Sequence, residues 1–168
     1  TGVTVAPSPD WLQNRLKAIG VKSINNVVDI TNYVLHAYGQ PLHAFDYDQI
    51  GSDTIRVKKL ASGTPFLCLD STERLLNQDD LMICNGLSVP LCIGGVFGGL
   101  HSGISDSTKT IFLESAHFNA SSIRRTSMRH VLRTDAATRF EKGTDPNNTV
   151  KALKIAASMI VQLAGGRL

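Results

Sequence analysis

The chain has no run of about 18 or more apolar residues and no charged-then-apolar opening segment, so neither membrane insertion nor secretion is indicated. We expect a cytoplasmic protein with no membrane partner. Cysteine is scarce. Cys68, Cys84 and Cys92 are odd in number, sit in apolar contexts such as PFLCLD and PLCIGG, and form no C-x-x-C pairing with histidine. They read as reduced core thiols rather than zinc ligands. No internal repeat or low-complexity segment interrupts the sequence. GGVFGG, Gly94 to Gly99, has the glycine content of a phosphate loop but lacks the G-K-[ST] ending, and no dinucleotide fingerprint follows a strand. Nothing reads as an ATP site, and no cofactor is expected in this chain.

What is present is enough for one domain over residues 1–168: a 168-residue chain of 42% hydrophobic composition can bury a core of its own. It begins at Thr1 rather than Met, and we expect an excised piece of a longer protein. The net charge is +3, unevenly spread. Between Ser122 and Lys142 six cations, among them Arg124, Arg125, Arg129 and Arg133, face two anions, a local +4 that leaves the remainder near −1. A basic segment on a balanced surface suits a phosphate backbone; a solvated helix face is the plainer alternative.

Ser8-Pro9-Asp10 reads as the N-cap, first-turn proline and first-turn acid of a helix carrying Leu12, Leu16 and Ile19 and ending at Gly20. From Asn25 to Tyr38 the β-branched content suits a strand, but Val28, Thr31, Leu35 and Tyr38 keep a helical period and Gly39 is a good helix terminator. That predicts a helix with Thr31 on its inward stripe and Asn25, Asn26, Asp29 and Asn32 on other faces. An extended run with His43 follows the Gly39 to Pro41 turn. Beyond the Tyr47 to Gly51 turn come short strands over Thr54 to Leu60, Pro65 to Leu69, Glu73 to Leu76, Leu81 to Cys84, Ser88 to Ile93 and Thr110 to Glu114. Asn119 caps a helix to about Val131. Asp145-Pro146 caps a last one, with Val150, Leu153, Ile155, Ala156, Ile160 and Leu163 as its apolar residues. The class is α+β: meanders and hairpins covered by helices at both ends.

Two side chains stand out chemically. His43, with Asp46 three residues on, suits proton transfer near neutral pH, although a lone histidine beside a core strand is often only a satisfied polar residue. Glu114 closes the apolar run Ile111-Phe112-Leu113, and a carboxylate aimed from there into a cavity needs a partner, for which an arginine of the basic segment is one option. H-A-F-D is no metal spacing, and only Glu114 could add to it, so no metal is expected. The glycines around Val96 and Phe97 permit close approach of backbone to a ligand.

SPDWLQNRL, INNVVDITNYVLHAYGQPLHAFD, GGVFGGLHSGISDSTKTIFLESAHF, SIRR and LRTDAATRFEKGTDP, taken in order, resemble the B3/B4 region of the bacterial phenylalanyl-tRNA synthetase β subunit. The likeness spans nearly the whole chain and is weakest over Thr54 to Ser88. It implies an editing domain that hydrolyses tyrosine wrongly esterified to the phenylalanine tRNA, within a synthetase of two α and two β subunits. Synthesis, with its ATP and magnesium, then belongs to the α subunit. It implies a pocket lined by Thr31, His43, Gly98, Glu114, Thr134 and Ala136. Lys22 stands where some members carry arginine, so a charge survives without the planar fork.

On that reading His43 and Thr31 position the hydrolytic water or the terminal ribose, with His43 as general base the sharper version. Glu114 accepts the tyrosine hydroxyl and penalises phenylalanine, because a site built to bond a hydroxyl is left unpaired without it. Gly98 lets backbone close on the ring, Thr134 lines the pocket and Ala136 leaves room. Lys22, Arg124, Arg125, Arg129 and Arg133 are candidate tRNA contacts. A non-catalytic tRNA-contacting module is the alternative.

Overall fold

The computed structural model describes residues 1–168. The first elements are α1 (Asp10–Ala18), α2 (Asn26–Tyr38), β1 (Leu42–Asp46), α3 (Tyr47–Ile50), β2 (Ile55–Lys59), β3 (Pro65–Leu67), β4 (Glu73–Leu75) and β5 (Leu81–Asn85). There follow β6 (Pro90–Ile93), β7 (Phe97–Gly98), a 3-10 turn at Leu100–Ser102, β8 (Ile111–Ser115), α4 (Ala120–His130), α5 (Asp135–Glu141) and α6 (Asn148–Ala164). The class is mixed α+β, with small antiparallel sheets, as expected. No helix is long and apolar enough to cross a membrane.

The chain divides into two compact units. The first comprises Thr1–Asp48, Ile104–Ala116 and Asp145–Leu168. Its core joins Leu12 and Leu16 of α1, Val27, Ile30 and Val34 of α2, Ala44 of β1, and Ala152, Ala156 and Ile160 of α6. β1 and β8 pair antiparallel as a two-stranded ladder. Ala44 and its neighbours Leu42, Ile111 and Leu113 pack on this core, so the alternate residues of both strands lie on the ladder's other face.

Helix α2 forms where helical period outweighs β-branching. Asn25 accepts from the Val27 and Val28 N–H groups at 3.1 and 2.9 Å, and Gly39, at φ 72°, ends the helix. Its core stripe is rotated from the expected one: Val27, Ile30 and Val34 face inward, Thr31 and Leu35 are buried beside them, and Tyr38 is 40% exposed. Asn26 and Asp29 are buried too, because each joins separate segments. Asn26 Nδ2 donates to Thr4 O and Leu163 O, and Asp29 accepts from Ser8 Oγ, Ser23 Oγ and the Ile24 N–H. Ser8 is not the cap of α1: the N-cap is Pro9, no side chain bonds the first-turn N–H groups, and the Ser8 hydroxyl donates to the buried Asp29 carboxylate at 2.6 Å. Ile19 and Val150, read as core, are more than half exposed.

The second unit comprises Gln49–Gly103 and His117–Thr144. β2, β5, β6 and β7 form a four-stranded antiparallel sheet in that order, and β3 pairs with β4. The expected strands fall on these with ends shifted by one or a few residues, whereas β7 and α5 were not anticipated. Cys68, Cys84 and Cys92 are buried and form no disulfide. Phe118 and Phe140, both buried, meet edge to face at 5.1 Å.

Candidate active site

The two chemically conspicuous side chains are cross-strand partners. In the β1–β8 register His43 stands opposite Glu114 and Phe45 opposite Phe112, so all four share the face turned from the first unit's core. Side chains so paired have Cβ atoms about 4.5–5.5 Å apart. His43 also meets Phe45 edge to face at 4.4 Å, and Phe45 is fully buried. The pairing puts an imidazole and a carboxyl side by side against aromatic surface.

Neither group has a hydrogen-bond partner at its tip within the protein, and Glu114 is half-buried. His43 Nε2 is buried without a hydrogen-bond partner. Burial drives the imidazole's pKa down to about 4, so the ring is neutral at pH 7. Burial drives the Glu114 carboxyl up to about 7, with no cation or hydrogen bond to offset it. Glu114 is thus not the ion-pair partner of an arginine. At neutral pH it is divided between acid and carboxylate, while His43 is a weak base with a free ring nitrogen. Such a histidine is better suited to hold a water by hydrogen bonds than to take its proton outright.

Asp46 takes no part. It lies three residues from His43, hence on the ladder's opposite face, and its carboxylate accepts from Thr108 Oγ1 at 2.7 Å and from the Asp48 N–H. Thr31 is buried on α2, and its hydroxyl donates to Val28 O at 2.7 Å. With that proton committed it can only accept, for instance from water. Gln40, fully buried, donates from Nε2 to Pro41 O and Ala116 O and so ties the entry to β1 to the exit from β8. It escaped the sequence reading because a glutamine in a turn carries no pattern. An apolar cleft of about 60 Å³ involves Ile111, Leu113 and Ile160, on the opposite face of β8 from Glu114.

Gly98, Thr134 and Ala136 belong to the second unit. Gly98 is buried in β7, its carbonyl accepting from the Leu69 N–H at 3.0 Å. Thr134 caps α5: its hydroxyl accepts from the Ala137 N–H at 3.1 Å and donates to Val96 O at 2.8 Å. It therefore pins α5 to the GGVFGG turn. Ala136, in the first turn of α5, is half-buried. Two glycines of the turn are required by packing. At Gly95, with φ +68°, a Cβ would lie 2.8 Å from the Phe118 ring, and at Gly99 one would lie 2.7 Å from Leu91 O.

The basic segment is divided in its use. Arg124, Arg125 and Arg133 are exposed, as is Lys22 in the first unit. Arg129 instead bonds Asp80, fully buried, which also accepts from Thr126 Oγ1 at 3.0 Å, from the Asn77 N–H at 2.8 Å and lies 2.6 Å from His130 Nε2. Burial alone would raise the Asp80 carboxyl, but these partners outweigh it and hold it below its ordinary value.

A family model described as "B3/4 domain" matches residues 1–165. The chain is 57% identical over 166 residues to a protein named "Phenylalanine--tRNA ligase beta subunit" from Porphyromonas gingivalis, covering 99% of this chain and 20% of that one. Proteins of the same name from Bacteroides thetaiotaomicron and Geobacillus kaustophilus are 55% identical over 167 residues and 48% identical over 166, with the same coverage. The chain thus spans about a fifth of the length of the curated relatives it matches. With His43 and Glu114 on one ladder and the match running from end to end, the chain belongs to the B3/4 domain family.

Proposed function

We propose that this domain edits: it hydrolyses the ester of tyrosine wrongly attached to the phenylalanine tRNA, as part of a phenylalanine–tRNA ligase β subunit assembled with an α subunit that carries out synthesis with ATP and magnesium. The observation that supports this most is the His43–Glu114 cross-strand pair: a buried imidazole nitrogen without a partner opposite a half-buried, desolvated carboxyl that makes no hydrogen bond or ion pair. A carboxyl desolvated in this way, with no partner in the protein, is costly to ionise unless a ligand completes it. An idle tRNA-contacting module has no use for one.

The mechanism follows from the groups present. The substrate is an activated ester, so hydrolysis needs an oriented water, stabilisation of the developing oxyanion and departure of the terminal ribose hydroxyl. His43 Nε2 holds the water, and the Thr31 oxygen is a second acceptor for it or for the ribose. The Glu114 carboxylate accepts the tyrosine O–H. Phenylalanine offers that carboxylate only C–H edges, so it is released rather than cleaved. Gly98, Thr134 and Ala136 are the proposed further substrate contacts, Thr134 through the backbone it fixes. Lys22, Arg124, Arg125 and Arg133 are the free tRNA-contacting cations, whereas Arg129 contributes through the helix it anchors.

Release of labelled tyrosine from mischarged tRNA tests the reading. The parent chain should deacylate with or without chelator, and His43→Ala should be slowed. No release by the parent, or full-rate release by His43→Ala, would refute it.

A further inference from the structure

Helix α1 presents a face that the editing chemistry does not use. Leu12 and Leu16 are buried, which turns Trp11 and Arg15, four residues apart and each next to one of them, together to one flank of the buried stripe. Trp11 is 44% exposed and meets Tyr33 of α2 at 5.9 Å with the rings perpendicular, a contact that fixes the indole without covering it. The chain then reverses sharply: the Gly20 N–H bonds Lys17 O, and the Val21 N–H bonds Leu16 O. Val21 packs back on the core, and exposed Lys22 follows directly. Ile19 and Ile24, 54% and 64% exposed, flank the reversal.

The electrostatics of this face are one-sided. No carboxylate pairs with Arg15 or Lys22. Asp29, the nearest acid beyond Lys22 in sequence, is buried and taken up by Ser8, Ser23 and the Ile24 N–H. Asp10 is the only exposed acid between Thr1 and Lys22. A fixed, exposed indole beside unpaired cations is the chemistry that binds single-stranded nucleic acid: a π-face for one base and positive charge for the backbone.

We propose that the Trp11–Arg15 face of α1, continued by Lys22, is a docking surface for a single-stranded RNA end, with an unpaired base stacked on the Trp11 indole. The choice of RNA over a protein partner rests on the tRNA reading given above; the aromatic and cationic geometry does not. The surface carries no chemistry. It holds the strand that leads to the ester.

Trp11 is the only tryptophan, so its fluorescence reports on this face alone. The probes are two RNA hairpins identical except that one carries a four-nucleotide single-stranded 3′ end and the other is blunt. The overhang should quench Trp11 and the blunt hairpin should not. Trp11→Ala should weaken binding of labelled overhang RNA about 5- to 150-fold, the range for one stacked base, with Trp11→Phe in between. Arg15→Ala and Lys22→Ala should each lower the slope of log affinity against log salt by about 0.7. Equal quenching by both hairpins, or unchanged affinity and salt slope in the variants, overturns the proposal; emission indifferent to RNA does so too and points to packing against protein. The two readings fail separately. Quenching by the overhang without tyrosine release removes the editing reading and keeps the surface. Tyrosine release with an unchanged KM in Trp11→Ala removes the surface and keeps editing.

Discussion

Replacing Glu114 with glutamine should make the fold more stable above neutral pH while impairing the site. Burial lifts this carboxyl from its ordinary 4.5 to about 7. Between those two values the unfolded chain has released its proton and the folded chain has not, so stability falls as pH rises through the window and levels off above it. Each pH unit is worth about 1.4 kcal/mol, so the ionised carboxylate costs the fold about 3 kcal/mol by pH 8. Glutamine keeps the shape and cannot ionise. Urea unfolding of parent and Glu114→Gln from pH 4.5 to 8.5 should show curves that coincide at the acid end and separate by about 3 kcal/mol at the alkaline end. His43 works in the opposite sense: its value is depressed from 6.5 to about 4, so stability is lost as pH falls through that interval, equally in both proteins. A gap independent of pH, or a glutamine variant less stable throughout, would show that Glu114 is a satisfied structural group.

Three further outcomes follow from the same geometry. His43→Ala should slow tyrosine release about 10²-fold through loss of the positioned water, and the parent's pH–rate profile should carry a bend from the raised Glu114 carboxyl, near 7, that disappears in Glu114→Gln; a bend that survives there would reassign it. Glu114→Ala should narrow the preference for tyrosine over phenylalanine about 10- to 150-fold by calorimetry, since bonds to a charged group are worth about 1.5–3 kcal/mol; an undiminished preference would remove Glu114 from recognition. Asp80→Ala should destabilise the chain by about 3–5 kcal/mol, because it strands Arg129 and His130 around an emptied site. With Asp80 depressed, that contribution exists above the ordinary carboxylate value and is lost as pH falls through the folded one. A loss under 1 kcal/mol in chemical denaturation would contradict the account.

Much of the fold was legible because local signals agreed with it. Helix α2 was readable from the period of its apolar residues and from Asn25 and Gly39 at its ends, and most strands from short apolar runs between turn residues. What failed had non-local causes. Asp29 and Asn26 look like surface residues until Ser8, Ser23, Thr4 and Leu163 arrive from elsewhere to bond them. Val150 and Ile19 look like core until α6 and α1 settle with other faces inward. Of the site, His43 and Glu114 were each recognisable by type and context. That they stand opposite one another could not be read, because register between strands so far apart leaves no trace in local pattern. Arg129 shows the converse: composition marked it as a phosphate contact, and its partner Asp80 lies far back in the chain.

The β1–β8 ladder also fixes when the site can exist. Its two strands belong to one unit, yet the whole of Gln49–Gly103 lies between them in the chain, and α6, which closes the same core, is the last helix. Closing so long a loop costs entropy before any contact repays it. While the chain is being made, His43 emerges early and must wait for Glu114, and neither is backed by a finished core until Ala164 has followed. The proposed pair is therefore a late product of synthesis: truncated chains ending before α6 carry both residues but lack the finished core on the other face of the ladder that backs β1 and β8.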